Sequence, residues 1–210
     1  MRMVMLAAVL AAAVLAGYLA WGQPAVAQAP AQIGVSQEQV NTTLATWLPR
    51  PREVAQTMIA KYGMPQEVVA SRMVWYGNGP WKRTELKNEM VPHDFPRPHF
   101  DMLYQTIDYR VPPDKFDELA AYDGSVIVHR TKGELTASCD LEAANFLALN
   151  LARDIVQGKR SAAEARRFYG EAVLERRHPE YMAGFAFNLP REYTGFTDRP
   201  VQLAEAPPLF

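Results

Sequence analysis

Three patterns of hydrophobic and polar residues follow one another along the chain, and the first is an uncharged block at the N-terminus. Met3 to Trp21 is a run of 19 residues without a charge. A helix over this run would be about 28 Å long, which is just enough to cross the hydrocarbon core of a bilayer. Residues 1–21 are therefore predicted to form one N-terminal transmembrane helix or a signal segment.

Charges and aromatic residues predict how this segment would lie in a membrane. Arg2 is the only charged residue before Glu38, so the positive-inside rule keeps the N-terminus in the cytoplasm and exports the rest of the chain. Tyr18 and Trp21 fall at the end of the run, and aromatic side chains gather at the membrane interface. We expect a single span in the inner membrane, with residues 3–21 in the lipid bilayer and the domain in the periplasm.

A cleaved signal peptide is the alternative to a retained anchor. Ala25-Val26-Ala27 has the small residues of a signal-peptidase site, so cleavage would leave Gln28 as the first residue. The run is also rich in alanine and only moderately hydrophobic. Both interpretations place the rest of the chain outside the cytoplasm.

The second pattern mixes helical and strand periodicity between residues 47 and 177. It follows residues 22–46, a stretch rich in Gln, Ala, Pro and Thr that has little periodicity and is predicted to be a linker. Four-residue spacing and capping residues predict helices over Pro51–Tyr62, Asp114–Tyr122, Leu141–Gln157 and the segment that Ser161 and Glu164 open. Alternation and turn residues predict strands over Val68–Tyr76, Trp81–Lys87, Leu103–Val111, Ser125–Arg130 and Glu134–Cys139.

The order of these elements predicts the fold class. Short antiparallel-type strands joined by hairpin turns and combined with amphipathic helices are typical of α+β domains. We therefore expect residues 47–177 to form an α+β domain, an antiparallel sheet of about five strands with helices packed on one face. The N-terminal transmembrane (or signal) helix would precede it.

The third pattern is an aromatic and proline-rich tail, residues 178–210, without helical or strand periodicity. Its aromatic residues are Tyr181, Phe185, Phe187, Tyr193, Phe196 and Phe210. A disordered linker would be poor in aromatic residues, so the tail is expected to lie either on its own domain or on another subunit. In the second case these six residues would anchor a partner-binding surface.

Composition narrows the range of functions. Lys and Arg number 22 against 23 for Asp and Glu, a formal net charge of −1. A nucleic-acid-binding protein needs a clustered basic face, so no nucleic-acid partner is expected.

Cys139 is the only cysteine, which excludes an internal disulfide, a CxxCH haem site and a cysteine zinc knuckle. We expect Cys139 to be buried and structural, and no cofactor is predicted.

The best candidate for an enzymatic site is the segment Pro92–Asp101. His93, His99 and Asp101 carry the nitrogen and oxygen ligands that zinc prefers, although their spacing matches no established motif. Prolines within the segment would hold it extended and keep the two histidines about 20 Å apart. One metal ion would contact both only if the loop folds back, so we expect a stiff surface loop, with metal binding as the alternative.

Aromatic residues flank the predicted hairpin turn at residues 77–80. Trp75, Tyr76 and Trp81 would either stack on a sugar or aromatic ligand or stabilise the hairpin by cross-strand packing. The first interpretation predicts a small-ligand binding module.

Four short segments resemble a family of exported bacterial proteins. They are Lys61-Tyr62-Gly63-Met64-Pro65, Gly79-Pro80-Trp81-Lys82, Asp123-Gly124-Ser125-Val126 and Leu147-Ala148-Leu149-Asn150-Leu151-Ala152. The resemblance covers about residues 48–175, and the family is uncharacterised, so it implies no catalytic residues. A single-span protein with this kind of exported domain also resembles the accessory subunits of bacterial photosynthetic reaction-centre complexes.

Together these features favour a non-catalytic, membrane-anchored periplasmic subunit that docks on and stabilises a larger membrane complex, photosynthetic or respiratory. Its partners would be the other subunits of that complex and the lipid bilayer. A periplasmic metal-assisted hydrolase that uses residues 93–101 is the first alternative. The small-ligand binding module is the second.

Overall fold

An antiparallel sheet of six strands runs through the computed structural model, which describes residues 34–190. The strands are β1 (Glu67–Val69), β2 (Arg72–Asn78), β3 (Trp81–His93), β4 (His99–Asp108), β5 (Val126–His129) and β6 (Glu134–Cys139). Their order is β1-β2-β3-β4-β6-β5. There is one strand more than the sequence predicts, because a turn at residues 70–71 divides the predicted strand Val68–Tyr76 into β1 and β2.

Six helices accompany the sheet within the described residues. They are α1 (Gln37–Ala45), α2 (Pro49–Tyr62), α3 (Phe116–Tyr122), α4 (Glu142–Val156), α5 (Ala162–Leu174) and α6 (Glu180–Ala183), with a 3-10 turn at Pro113–Lys115 before α3. Ser161 and Glu164 form the predicted capping box at the start of α5, and Gly63, at φ 79°, ends α2. The predicted α+β class is therefore confirmed.

The predicted linker, residues 22–46, is partly helical in the structure. Ser36 caps α1 by accepting a hydrogen bond from Gln39 N–H at 3.1 Å, and Val40 and Leu44 are buried one helical turn apart. The linker prediction is therefore wrong for residues 37–45. The predicted N-terminal helix lies outside the described residues, and between residues 34 and 190 no helix has the length and hydrophobicity to span a bilayer.

The two faces of the sheet differ in polarity because side chains alternate between them. Met73, Trp75, Leu86, Leu103 and Ile107 share one face through the strand register, and each is at most 1% exposed. Helix α2 packs with β2, β3 and β4 in one apolar cluster, and α4 packs with β4 and β6 in a second. Full burial of a side chain of this kind stabilises a fold by about 1.5–3 kcal/mol.

Glu142, the first residue of α4, joins the helices to the sheet. Its Oε1 accepts hydrogen bonds from Tyr62 OH (2.7 Å), Trp81 Nε1–H (2.6 Å) and Gln105 Nε2–H (3.1 Å), and its Oε2 pairs with Lys61. The donors belong to α2, β3 and β4, so one carboxylate connects four elements. Burial alone would raise the pKa of Glu142, but these hydrogen bonds together hold it below its ordinary value.

Protonation of Glu142 is expected to destabilise the domain. Its pKa is lower in the folded chain than in the unfolded chain, so its contribution to stability is complete above the unfolded value of 4.5 and is lost as pH falls through the folded value. Glu142→Gln cannot ionise. We expect it to lower the free energy of unfolding by about 1–3 kcal/mol at neutral pH and to remove this part of the acid dependence.

Urea denaturation from neutral pH down to about pH 3 measures both effects. Glu175→Gln, on the exposed end of α5, is the matched control and should keep the acid dependence of the parent protein. An unchanged acid dependence in Glu142→Gln would contradict the role of this carboxylate.

Candidate metal centre

The turn between β3 and β4 brings the two candidate histidines together. β3 continues to His93 and β4 begins at His99, and these two residues are cross-strand partners, with their rings 4.8 Å apart between centroids. The expectation of a stiff extended loop with the histidines about 20 Å apart is therefore wrong. The chain reverses within residues 94–98, and Pro96 and Pro98 lie inside this turn instead of extending the chain.

Asp101 completes a cluster with the two histidines. His99 and Asp101 occupy alternate positions of β4, so both side chains project from the same side of the strand. His93, His99 and Asp101 each offer one ligand atom, and these atoms all lie within 4.8 Å of one another. The three residues, called the His93 site below, are the candidate metal ligands that the sequence predicted.

The hydrogen bonds of His99 indicate which of its nitrogens is free. Its Nδ1 lies 2.9 Å from the carbonyl oxygen of Arg97, which can only accept, so Nδ1 carries the proton. In the neutral ring Nε2 then holds the lone pair, and it lies 3.3 Å from Oδ1 of Asp101. This Oδ1 is buried and accepts no hydrogen bond from any described residue. When the ring is neutral, two electron-pair donors face each other here, and either a proton or a metal ion can lie between them.

Ser125 orients His93 in the same way. The Ser125 hydroxyl lies 2.5 Å from Oδ2 of Asp101, a carboxylate oxygen that accepts its single proton. His93 Nδ1, 2.9 Å from the same hydroxyl oxygen, must then be the donor of the second hydrogen bond. The lone pair of the neutral His93 ring is consequently on Nε2, 3.7 Å from Oδ1 of Asp123. Ser138 adds a weaker contact to Asp101 Oδ2 at 3.3 Å.

Two buried carboxylates lie beside the two histidines of the site. Asp101 and Asp123 are only 4% and 3% exposed, and within residues 34–190 no lysine or arginine forms an ion pair with either carboxylate. Burial raises the pKa of Asp123. Because a buried carboxylate needs a counter-charge, either a protonated histidine or a bound metal cation has to supply it.

A cavity of about 530 Å³ adjoins the His93 site. His99 forms part of its wall, and most of the remaining wall is apolar. Cys139 also lies in the wall, 5% exposed, and burial raises the pKa of its thiol to about 12. This thiol is therefore protonated at neutral pH, in agreement with the expectation of a buried structural cysteine.

The other sequence candidates lie elsewhere. Trp75 and Trp81 on the aromatic hairpin are 1% exposed, so these two rings are not available to stack on a ligand.

In the tail, Tyr181, Phe185 and Phe187 are partly buried against the apolar core of their own domain. Their role in partner binding stays a prediction. The tail residues Tyr193, Phe196 and Phe210 and the interface residues Tyr18 and Trp21 lie outside the described residues.

The neutral histidine side chains of the metal-free protein are expected to adopt different tautomers at different positions. His93 and His99 should both carry the proton on Nδ1, because both Nδ1 atoms are hydrogen-bond donors. His129 is the internal control: its Nδ1 accepts the Lys132 N–H at 3.3 Å, so its proton should be on Nε2. Long-range proton–nitrogen correlation spectra at mildly alkaline pH distinguish the two forms. An Nε2 proton on neutral His99 would remove the free ligand atom from the site.

Comparison with known proteins does not add to this geometry. The sequence matches no family model, and neither the curated proteins nor the solved structures give a match.

Proposed function

We propose that this protein is an exported metal-assisted hydrolase that holds one divalent ion, zinc in the first instance, on His93, His99 and Asp101. The observation that carries the proposal is the buried Oδ1 of Asp101, which accepts no hydrogen bond although the lone-pair nitrogen of His99 lies 3.3 Å away. A cation between these atoms would satisfy both.

The ligand types favour zinc over magnesium or calcium. Magnesium and calcium prefer sites made only of oxygen ligands, whereas two imidazoles and one carboxylate suit zinc or iron(II). Three protein ligands are also the usual number in catalytic zinc sites, which keep a further position for water or substrate. Ser125 and the Arg97 carbonyl oxygen would act as outer partners, because each fixes one histidine ring through its Nδ1–H.

Hydrolysis is the reaction that such a centre supports best. A bound zinc ion lowers the pKa of a water molecule to about 7 and so supplies hydroxide at neutral pH. In the hydrolysis of an ester, such a hydroxide would add to the carbonyl carbon, and the bond from that carbon to the alcohol oxygen would break. The proton passes to the departing oxygen, so the products are a carboxylate and an alcohol. We assign Asp123 to carry that proton, because its Oδ1 lies 3.7 Å from Nε2 of His93.

One zinc ion per chain is expected to bind to the metal-free protein, as measured by isothermal titration calorimetry and elemental analysis. Loss of an outer partner usually weakens a metal site about 10–100-fold, and loss of a ligand should cost at least as much. His99→Ala and Asp101→Asn should therefore weaken zinc binding at least about 100-fold. His129→Ala, on the exposed end of β5, is the control and should bind zinc like the parent.

Three results would decide against the metal centre. They are binding of less than one zinc ion per chain, equal affinity in the His99→Ala and His129→Ala variants, and a hydrolase activity that chelation does not change. Iron(II) and manganese(II) titrated in parallel show whether zinc is the preferred ion.

The docking subunit stays as a second candidate, and the aromatic surface of the tail favours it. Phe185 packs edge-to-face on Trp81 and Phe146 at 5.1 and 5.0 Å, and Phe187 packs on Phe185 at 5.2 Å. Phe185 and Phe187 also border an open groove of about 860 Å³. In this proposal the N-terminal segment spans the inner membrane, and a photosynthetic or respiratory membrane complex provides the partner.

Two truncations separate folding from docking. Asn150, 1% exposed, donates through Nδ2 to the carbonyl oxygens of Tyr181 (2.9 Å) and Gly184 (2.8 Å) and accepts from the N–H of Ala186 (2.9 Å). Deletion of residues 179–210 should therefore lower the free energy of unfolding by about 2–4 kcal/mol, because a buried amide loses all three partners. Deletion of residues 191–210 keeps these three hydrogen bonds and should therefore cost less stability than the longer deletion.

The shorter deletion then tests docking alone. If the protein is a subunit of a membrane complex, deletion of residues 191–210 should reduce its co-purification with that complex from gently solubilised membranes. Full co-purification of this variant would show that the last 20 residues are not the docking element.

A further inference from the structure

The cavity beside the His93 site has the properties of a binding site for an apolar chain. Its volume of about 530 Å³ lies within the range of small-molecule sites, about 300–1,000 Å³. Its apolar wall is formed by Met90, Phe100, Leu141, Ala144, Val173 and Met182. These residues come from the β3–β4 arm, which also carries the candidate metal ligands, and from the start of α4, the end of α5 and α6.

The few polar groups of the cavity lie where a reacting group would be needed. His99 contributes one wall, and Arg50 and Asp140 neutralise each other through an ion pair of 2.7 Å. Arg97 also lines the cavity, and within residues 34–190 its guanidinium forms no ion pair or hydrogen bond. A cation without a partner beside an apolar wall complements a ligand with an apolar chain and a carboxylate end.

We infer that the substrates are esters of medium- or long-chain carboxylic acids. The acyl chain would occupy the apolar cavity, the carbonyl group would lie at His99, and Arg97 would bind the carboxylate that hydrolysis releases. This inference rests on the proposed metal-assisted hydrolase and specifies its substrate. An unbranched chain fits this cavity better than a rigid polar group would, because most of the lining residues are apolar. The main charged or imidazole groups among them are His99, Arg97 and the Arg50–Asp140 pair.

The rim of the cavity allows a test that does not endanger the fold. Leu141 is 48% exposed and is the N-cap residue of α4. Leu141→Asp places a negative charge at the rim, where it opposes both the apolar chain and the carboxylate, while aspartate is itself a favourable N-cap. Leu174→Asp is the matched control, because Leu174 is 57% exposed and does not line the cavity.

The experiment uses zinc-loaded full-length protein and two probes. p-Nitrophenyl acetate, butyrate and octanoate report how kcat/KM depends on chain length, and octanoate itself reports binding by calorimetry. We expect kcat/KM for the octanoate ester to exceed that for the acetate ester at least about 10-fold, since each buried methylene adds to binding. Leu141→Asp should weaken octanoate binding at least about 10-fold, and Leu174→Asp should not change it.

Arg97→Gln separates the contribution of the carboxylate from that of the chain. It should weaken the binding of octanoate but leave the binding of octanol, which has no charge, unchanged. Equal loss for both ligands would show that Arg97 does not bind the carboxylate.

The outcomes distinguish this inference from the proposed function. If zinc binds and acetate esters are hydrolysed but octanoate neither binds nor inhibits, the acyl-chain inference is wrong and the metal centre stands. A different result would reject the metal-assisted hydrolase: octanoate binds, Leu141→Asp prevents this binding, and zinc does not bind. The cavity would then still be a binding site for apolar carboxylates. Octanoate binding that Leu141→Asp and Leu174→Asp weaken equally would place the ligand outside this cavity.

Discussion

The hydrogen bonds of one carboxylate, Glu142, hold the helical layer against the sheet. Tyr62, Trp81 and Gln105 converge on a single oxygen atom, and their distances of 2.6 to 3.1 Å are those of strong hydrogen bonds to an ionised acceptor. Because Glu142 begins α4, the same contacts fix where that helix starts. The cavity beside the His93 site depends on this position, since Leu141 and Ala144 in its wall flank Glu142 in the chain.

The candidate metal centre depends on a second constraint, the pairing of the far ends of β3 and β4. The register of these strands shifts between Leu86 and Val91, and beyond the shift His93 pairs with His99. Ser125 and Asp123 lie in the segment just before β5, and β5 is the edge strand that pairs with β6. The site is therefore assembled from three separate stretches of chain. Its three candidate ligands lie on β3 and β4, which position them more rigidly than a free loop would.

Part of this arrangement follows from the sequence and part does not. Helix α5 is predictable because Ser161 and Glu164 form a local capping box, whereas α1 is missed because only Val40 and Leu44 mark its buried face. For the site, the residue types of His93, His99 and Asp101 indicate a metal, but the neighbouring prolines indicate an extended chain.

A pattern in the sequence does indicate the correct geometry. Leu103 and Ile107 lie four residues apart on one side of the strand, and the same alternation extends back through Asp101 to His99, which indicates a longer β4 and a hairpin. No local pattern connects Ser125 to His93, because 32 residues separate them and only the sheet topology brings them into contact. Long-range contacts of this kind need the fold itself.

If the protein is exported, as proposed, the burial of Cys139 has a consequence for its thiol chemistry. An oxidising compartment converts accessible lone thiols into mixed disulfides and cross-linked dimers, because a thiolate attacks whatever disulfide it meets. Cys139 is 5% exposed and its pKa is raised to about 12, so it supplies almost no thiolate. In such a compartment the one sulfhydryl group of the folded chain would therefore stay unreacted, with neither a partner cysteine nor a reductant to protect it.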